Sequence, residues 1–159
     1  MPQISLSEVV SNVGPLDREA ARQARERQGF LTKPPGSLGR LEDLSIQLAG
    51  IFGTARPRPR GKTVIVAAGD HGVVAQGVTG YPQEVTAQMV GNFLAGGAAV
   101  SVLARHAGVR LVIVDAGIAA ELPPHPELRV VHVGSGTADI TLGPAMSREQ
   151  AERCLLAGV

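Results

Sequence analysis

The chain has 159 residues, 44% of them hydrophobic, which is enough for one soluble domain with its own core. Its net charge of +1 and its 3% aromatic content, without tryptophan, give no support for a nucleic-acid surface, an anionic-membrane surface or a base-stacking platform. The single cysteine, Cys154, excludes an internal disulfide, and we find neither a leader pattern nor an apolar run of membrane-spanning length. We therefore expect a cytoplasmic protein.

The N-terminal third has the pattern of helices. Residues 4–13 could form one short helix, and residues 15–28 have the polar composition of an exposed helix with Asp17 near its start. Between residues 38 and 51, apolar residues recur at nearly helical spacing, and Ser37 is a possible cap for that helix.

A change in composition separates these helices from the rest of the chain. The segment GTARPRPRGK alternates arginine with proline, and such a sequence is extended and solvated. We therefore predict a helical N-terminal part at residues 1–53, a linker at 54–62 and an α/β part at 63–159.

The part after the linker alternates strands and helices. Its pattern predicts strands at 64–68, 110–115 and 129–133, helices at 83–95 and 98–106, and a final helix capped by Ser147, with Glu149 and Gln150 as capping-box candidates. This order is typical of an α/β domain with a mostly parallel sheet, and the apolar run from Val64 to Ala68 favours a sheet covered on both faces. A sheet of only three strands, flanked by this number of helices, would leave apolar surface exposed. We therefore expect an incomplete sheet, which either belongs to a longer protein or is covered by another subunit.

The first candidate site follows the first of these strands. The strand ends at Gly69, so Asp70 and His71 lie where ligands bind in open α/β sheets. Gly72 lets the backbone turn and a ligand approach closely. We expect Asp70 and His71 to be an acid–base or substrate-orienting pair. The alternative is structural, with Asp70 capping the following turn and His71 hydrogen-bonded to the backbone.

Four further candidates come shortly after this loop. Tyr81 and Pro82 could form one wall of a flat apolar pocket, or Tyr81 could be a surface residue ahead of a helix with Pro82 in its first position. Gln88 could face the crevice or water, and Met89 is most simply explained by core packing. The residues alone leave these alternatives open.

A separate candidate lies in the N-terminal part, in the segment KPPGSLG. Lys33, Gly36 and Ser37 combine one cation, free backbone amides and a helix start, which suits a phosphate, and we predict an anion or subunit contact there. Because the lysine precedes the glycines, the segment is not a P-loop. The alternative is a rigid hinge into the next helix.

Other chemistry has little support in the sequence. His106, His125 and His132 are scattered without the spacing of metal ligands, so we predict no metal site. Residues 134–137, GSGT, resemble part of a dinucleotide fingerprint but lack its full glycine spacing. Ser11, Ser45 and Ser101 lack the context of a hydrolase nucleophile.

Four segments together resemble the nicotinate-nucleotide–dimethylbenzimidazole phosphoribosyltransferase family. They are LTKPPGSLGRLEDLSIQLAGI, VIVAAGDHGVVAQGVTGYPQEVTAQMVGNFLAGGAAVSVLARHAGV, VDAGI and GPAMSREQAERCLLAGV, in this order over nearly the whole chain. The resemblance implies a Rossmann-like α/β domain with a smaller helical domain, in a homodimer. It also implies transfer of phosphoribose from nicotinate mononucleotide to dimethylbenzimidazole in cobalamin biosynthesis, without a metal or organic cofactor.

The same resemblance assigns roles to residues of this chain. It places Tyr81, Pro82, Gln88 and Met89 at the wall of the benzimidazole pocket, and Asp70, His71 and Gly72 in the strand-end loop beside it.

The catalytic glutamate and the GEMGIGNT-like phosphate motif of that family do not occur in this sequence, and family members are considerably longer. The sequence contexts of four glutamates in this chain do not match that of the family's catalytic glutamate: Glu121, Glu127, Glu149 and Glu152. We therefore expect no catalytic residue in this chain and no turnover by these residues alone. The alternatives are a module that binds an aromatic base without chemistry and an oligomeric structural fragment.

Overall fold

The computed structural model describes residues 5–158, so Ile4, at the start of the first predicted helix, lies outside the described residues. These residues divide into two compact units. One unit is Val10–Arg60, and the other combines residues 5–9 with residues 61–158. Helix α1, Leu6–Ser11, is shorter than the helix predicted at residues 4–13.

Two helices, α2 at Arg18–Gly29 and α3 at Arg40–Phe52, pack against each other in the Val10–Arg60 unit. Asp17 begins α2 as predicted, because its side chain accepts a hydrogen bond of 2.9 Å from the amide of Ala20. Small residues let the helices approach closely: a side chain on Gly50 would lie 3.3 Å from the carbonyl oxygen of Asp17. The predicted helices are therefore confirmed in this unit.

The start of α3 differs from the prediction that Ser37 caps it. The helix begins at Arg40 after Gly39, whose φ of 53° favours glycine. The amide of Ser37 donates to the carbonyl of Pro34, and the amide of Gly39 donates to that of Gly36. Two overlapping turns therefore occupy the segment where the helix was expected to start.

The second unit contains a parallel sheet with flanking helices. In chain order its elements are β1 (Thr63–Gly69), a short 3-10 turn (Gly72–Gln76), α4 (Glu84–Leu94), α5 (Ala99–His106), β2 (Arg110–Gly117), β3 (Leu128–Val130) and α6 (Arg148–Leu156). The strand order is β1-β2-β3, and both strand pairs are parallel. The predicted α/β class and parallel sheet are confirmed, whereas the 3-10 turn was not predicted.

The core lies on one face of this sheet. Alternate residues of β1, among them Val64 and Val66, pair in register with Leu111 and Ile113 of β2 and pack with Val90 of α4. On the other face, the side chain of Ile65 is 68% exposed. Among the described residues, the expectation of a sheet covered on both faces is therefore wrong, since α4 and α5 cover only one.

The stretch Glu84–His106 is long and apolar enough, by length and composition, to cross a membrane. This corrects the expectation that no apolar run reaches such a length. In the structure the stretch is two helices, α4 and α5, separated by a turn in which Gly96 has a φ of 77°. Val90 and Ala104 of these helices are buried in the core beside the sheet, which accounts for the apolar composition.

The last helix, α6, begins as the sequence predicts. The hydroxyl of Ser147 accepts a hydrogen bond from the amide of Gln150, and the side chain of Gln150 accepts one from the amide of Ser147. This reciprocal pair is a capping box, which satisfies two amide groups that the first turn leaves without helical partners.

We expect the substitution Ser147→Ala to destabilise α6, because the Gln150 amide loses its acceptor. The expected loss is about 1 kcal/mol in the free energy of unfolding, measured by circular dichroism during urea titration. Ser37→Ala is the matched control, since Ser37 precedes a helix without capping it. Equal effects of the two substitutions would contradict the role of the capping box.

Candidate functional site

The candidate site is built around Asp70, the residue directly after β1. Asp70 is 5% exposed, and its amide donates to the carbonyl of Gly117 at the end of β2. Its carbonyl accepts from the amide of Thr137, and its Oδ2 accepts a hydrogen bond of 2.9 Å from the amide of Ala119. A buried carboxylate needs a donor, and here the donor is the amide of Ala119, which follows β2 at the carboxyl edge of the sheet. The structural alternative predicted that Asp70 caps the following turn, but its Oδ2 accepts the amide of Ala119 and the turn that follows has no side-chain cap.

The residues after Asp70 pack against residues 134–139. His71 forms an isolated parallel bridge with Thr137, and the amide of Gly72 donates to the Thr137 carbonyl at 3.0 Å. A side chain on Gly72 would lie 2.6 Å from the amide nitrogen of Asp139 and 2.7 Å from the carbonyl carbon of Ala138. Gly72 is therefore required for close backbone packing. The GSGT segment supports this loop, since Gly136 packs against the Asp70 backbone.

A cavity of about 400 Å³ opens beside this loop, between β1 and α4. It brings together five of the seven residues predicted at the base pocket: Asp70, His71, Tyr81, Pro82 and Met89. The other two do not line it. Gly72 packs on residues 137–139, and Gln88 is exposed on α4 outside the lining.

The cavity walls are largely apolar. Val66 of β1, together with Val90 and Phe93 of α4, forms the inner part, while Tyr81 and Met89 are 72% and 41% exposed. Aromatic rings, proline and methionine make broad contacts with flat apolar ligands. Asp70 is the single acidic residue among the described residues that line the cavity, and its Oδ2 already accepts the Ala119 amide. The arrangement can hold a planar ring, and the two titratable side chains beside the loop that line it are those of Asp70 and His71.

Several residues that line the cavity were not predicted from the sequence, among them Val74, Thr79, Val85 and Phe93. Part of the signal was present, because Val85, Met89 and Phe93 recur every four residues and so share one face of α4. The unpredicted 3-10 turn supplies Val74. A turn of this kind has no periodicity that could have revealed it.

The predicted anion or subunit contact lies in the Val10–Arg60 unit. The Nζ atom of Lys33 is 2.7 Å from Oε1 of Glu42, and the amide of Leu38 donates to the same oxygen. The pKa of Glu42 lies below its usual value. The main cause is the hydrogen bond that Lys33 donates to its carboxylate, and the second is the one from the amide of Leu38. The Ser37 amide donates to Pro34, so these groups have internal partners. The contact at Lys33, Gly36 and Ser37 stays a prediction.

Within residues 5–158, no three side chains of histidine, cysteine, aspartate or glutamate are grouped as a metal site would require.

A family model described as Phosphoribosyltransferase matches residues 13–159. The chain belongs to this family. Similar relatives are named nicotinate-nucleotide–dimethylbenzimidazole phosphoribosyltransferase. The relative from Roseiflexus sp. (strain RS-1) is 58% identical over 97% of this chain and 44% of its own length. The relative from Deinococcus radiodurans is 52% identical over the same shares.

The solved structures agree with this assignment. The crystal structure of the phosphoribosyltransferase of that name from Thermus thermophilus matches with a TM-score of 0.83 and 51% identity, over 90% of this chain and 43% of that one. The resemblance found from the sequence motifs is confirmed, and the chain fits the N-terminal half of this family. It spans about 44% of the length of the curated relatives that it matches.

We expect Gly72→Ala to destabilise the strand-end loop, because the added carbon would meet backbone atoms of Ala138 and Asp139 that cannot move independently. The expected loss is about 1–3 kcal/mol in the free energy of unfolding, measured by urea titration. The control is Gly80→Ala, where the added carbon has no neighbour within 4 Å. If both variants unfold at the same urea concentration, the close packing at Gly72 is not required.

Proposed function

We propose that this chain forms the base-binding side of the cleft of a phosphoribosyltransferase in cobalamin biosynthesis. The enzyme transfers phosphoribose from nicotinate mononucleotide to dimethylbenzimidazole, and the products are alpha-ribazole phosphate and nicotinate. The single observation that carries the proposal is the apolar cavity of about 400 Å³ at the carboxyl end of β1. Family membership supports it, because the relatives' names specify a nicotinate nucleotide and dimethylbenzimidazole.

The cavity suits the acceptor base. Dimethylbenzimidazole is flat and mostly apolar, and it would lie between Val90 and Phe93 on the inner side and Tyr81, Pro82 and Met89 near the mouth. His71 and the backbone around Asp70 provide polar groups at one side. Gly72 and Gln88 do not line the cavity, so their proposed contacts with the base rest on the family resemblance alone.

The proposed reaction depends on positioning. One nitrogen of dimethylbenzimidazole attacks the anomeric carbon of the phosphoribose from the face opposite nicotinate. A carbon–nitrogen bond forms, the bond to the nicotinate ring breaks, and its electron pair returns to the pyridine nitrogen. Holding the two rings on opposite sides of the sugar replaces a bimolecular encounter with an oriented one.

The other benzimidazole nitrogen must lose its proton to a base. Asp70 is a poor candidate, because its buried carboxylate accepts the Ala119 amide. We propose that the base is a glutamate in the part of the full-length enzyme beyond the matched region. Such a carboxylate gains proton affinity in a water-poor pocket.

We further propose a domain arrangement for this part of the enzyme: a helical portion at residues 1–53, a linker at 54–62 and the start of a Rossmann-like domain at 63–159. The two compact units of the described residues support the division. We propose a cytoplasmic homodimer. Exposed apolar side chains on α3, including Leu41 and Ile51, are compatible with a further packing partner, and the break between α4 and α5 at Gly96 is compatible with an aqueous location.

A second candidate function is a module that binds the aromatic base without chemistry. The cavity favours this module as much as it favours the transferase. Binding of the ligand needs only the walls of the cavity, whereas phosphoribosyl transfer also needs a proton acceptor. A structural fragment that acts through oligomerisation is a third possibility, favoured by the exposed apolar side chains of α3.

Calorimetry with dimethylbenzimidazole tests the binding role. We expect saturable binding by the wild-type chain and roughly tenfold weaker binding by Met89→Ala, because the variant loses apolar contact in the cavity. Leu103→Ala is the matched control: Leu103 is an exposed apolar residue of the neighbouring helix outside the cavity, and its loss should leave binding unchanged. Failure of the wild-type chain to bind would reject the proposed function and leave the structural fragment.

The same protein preparation, supplied with nicotinate mononucleotide and dimethylbenzimidazole, should form no alpha-ribazole phosphate. Product formation by these 159 residues would show that the base lies within them. Binding by the chain together with transfer by the full-length enzyme supports the transferase, whereas binding without transfer by the full-length enzyme supports the module.

A further inference from the structure

A second cavity, of about 390 Å³, lies within the Val10–Arg60 unit, between α2, α3 and residues 55–58. Three of the side chains that line it are arginines: Arg27 near the end of α2, and Arg56 and Arg58 in the segment after α3. We call it the arginine cavity. The proposed function uses none of its lining residues, so the cavity needs an explanation of its own.

Part of the segment predicted as a linker forms one wall of the arginine cavity. The chain turns at Gly53, which ends α3 with a φ of 61°. Beyond this turn Pro57 is half-buried, and its ring restricts the backbone φ angle. The residues on either side of it, Arg56 and Arg58, are exposed but both line the cavity. The anchored proline therefore holds two cations at the cavity.

The charge of the arginine cavity is not balanced by the protein. Among residues 5–158, the guanidinium groups of Arg27, Arg56 and Arg58 form no ion pair, and no acidic residue lines the cavity. Arg22 and Arg40 in the same unit, by contrast, pair with carboxylates of their own helices. Like charges around one cavity repel each other, so an anion bound between them is favourable.

A buried acceptor beside these arginines also lacks a partner. The hydroxyl of Ser45 donates to the carbonyl of Glu42 at 2.7 Å, so it accepts from Nε2 of Gln28 at 2.8 Å. This fixes the orientation of the Gln28 amide, and within the described residues its Oε1 is buried without a hydrogen-bond partner. Buried acceptors are rarely left unpaired. A guanidinium group that turns towards a bound anion has further N–H groups that can supply the missing donor.

The lining of the arginine cavity matches a phosphate monoester. Guanidinium groups form paired hydrogen bonds with oxyanions. A phosphate monoester offers them three acceptor oxygens and nearly two negative charges, whereas a carboxylate offers two oxygens and one charge. Three guanidinium groups therefore favour the phosphate. The volume of about 390 Å³ is in the range of cavities for small organic ligands, and Ala24, Leu48 and Pro57 provide apolar surface for the organic part.

We propose that the arginine cavity binds small phosphate monoesters, with Arg27, Arg56 and Arg58 around the phosphate group. The inference goes beyond the proposed function and does not depend on it. The cavity proposed for dimethylbenzimidazole is lined by residues between positions 66 and 93, and the two cavities share no lining residue.

Calorimetry on the wild-type 159-residue chain tests the class of ligand with three probes. Phenyl phosphate combines a phosphate group with an apolar ring, inorganic phosphate lacks the ring, and benzoate carries a carboxylate in place of the phosphate. All three are measured at the same ionic strength, because salt screens these charges. We expect phenyl phosphate to bind roughly tenfold more tightly than either of the other probes.

The variants Arg27→Gln and Arg56→Gln test the location. Each removes one guanidinium group from the cavity, so we expect phenyl phosphate to bind roughly tenfold more weakly. Arg56 is exposed, and its substitution leaves the fold intact. The matched controls are Arg25→Gln on the same helix as Arg27 and Arg60→Gln in the same segment as Arg56. Both controls remove the same charge from an exposed residue outside the lining, and they should leave binding unchanged.

The proposal is overturned if phenyl phosphate does not bind, if benzoate binds as tightly, or if the control variants weaken binding as much as the cavity variants do. Inorganic phosphate that binds as tightly as phenyl phosphate contradicts the assignment of an ester.

The variant Met89→Ala separates this inference from the proposed function. It should weaken binding of dimethylbenzimidazole and leave binding of phenyl phosphate unchanged, since Met89 lines only the other cavity. Weaker binding of phenyl phosphate by this variant would place the probe in the other cavity and overturn the inference. Binding of phenyl phosphate that depends on Arg27, without any binding of dimethylbenzimidazole, supports the arginine cavity and rejects the proposed function.

Discussion

The structure of the site depends on the hydrogen bonds that surround Asp70. This residue ties the end of β1 to the end of β2 through its amide, to residues 134–137 through its carbonyl, and to Ala119 through its carboxylate. A buried carboxylate without such partners would be strongly unfavourable, so the carboxylate and the three segments stabilise one arrangement together. The backbone positions of His71 and Gly72 are fixed beside this junction by their pairing with Thr137.

One consequence concerns chemistry. The carboxylates of Asp70 and Asp115 both join chain segments: Asp70 accepts the amide of Ala119, and Asp115 accepts two amides and lies beside the ring of His132. Both acidic residues at this edge of the sheet therefore define the shape of the cleft. The apolar walls beside them bind by contact area and exclude water, which favours any charged group that the rest of the enzyme brings to the site.

Several apolar surfaces are left uncovered by the described residues. Leu41, Leu44 and Ile51 on α3 and Ile65 on β1 are exposed, although their spacing in the sequence is that of buried residues. The chain spans about 44% of the length of its curated relatives. An apolar pattern specifies that a face should be buried but not which segment or subunit buries it.

Local signals in the sequence determined much of this protein: the helix caps at Asp17 and Ser147, the apolar strands of the parallel sheet, and the polar residues after β1. These features depend on residues within one or two turns of one another. The tertiary structure alone decided that the Asp70 carboxylate accepts the amide of Ala119, 49 positions away, and that Gly72 packs on residues 137–139. It also decided that the carboxylate of Asp115 lies beside the ring of His132. Such contacts depend on strand register and loop packing, which bring distant segments together without leaving a periodic pattern in the chain.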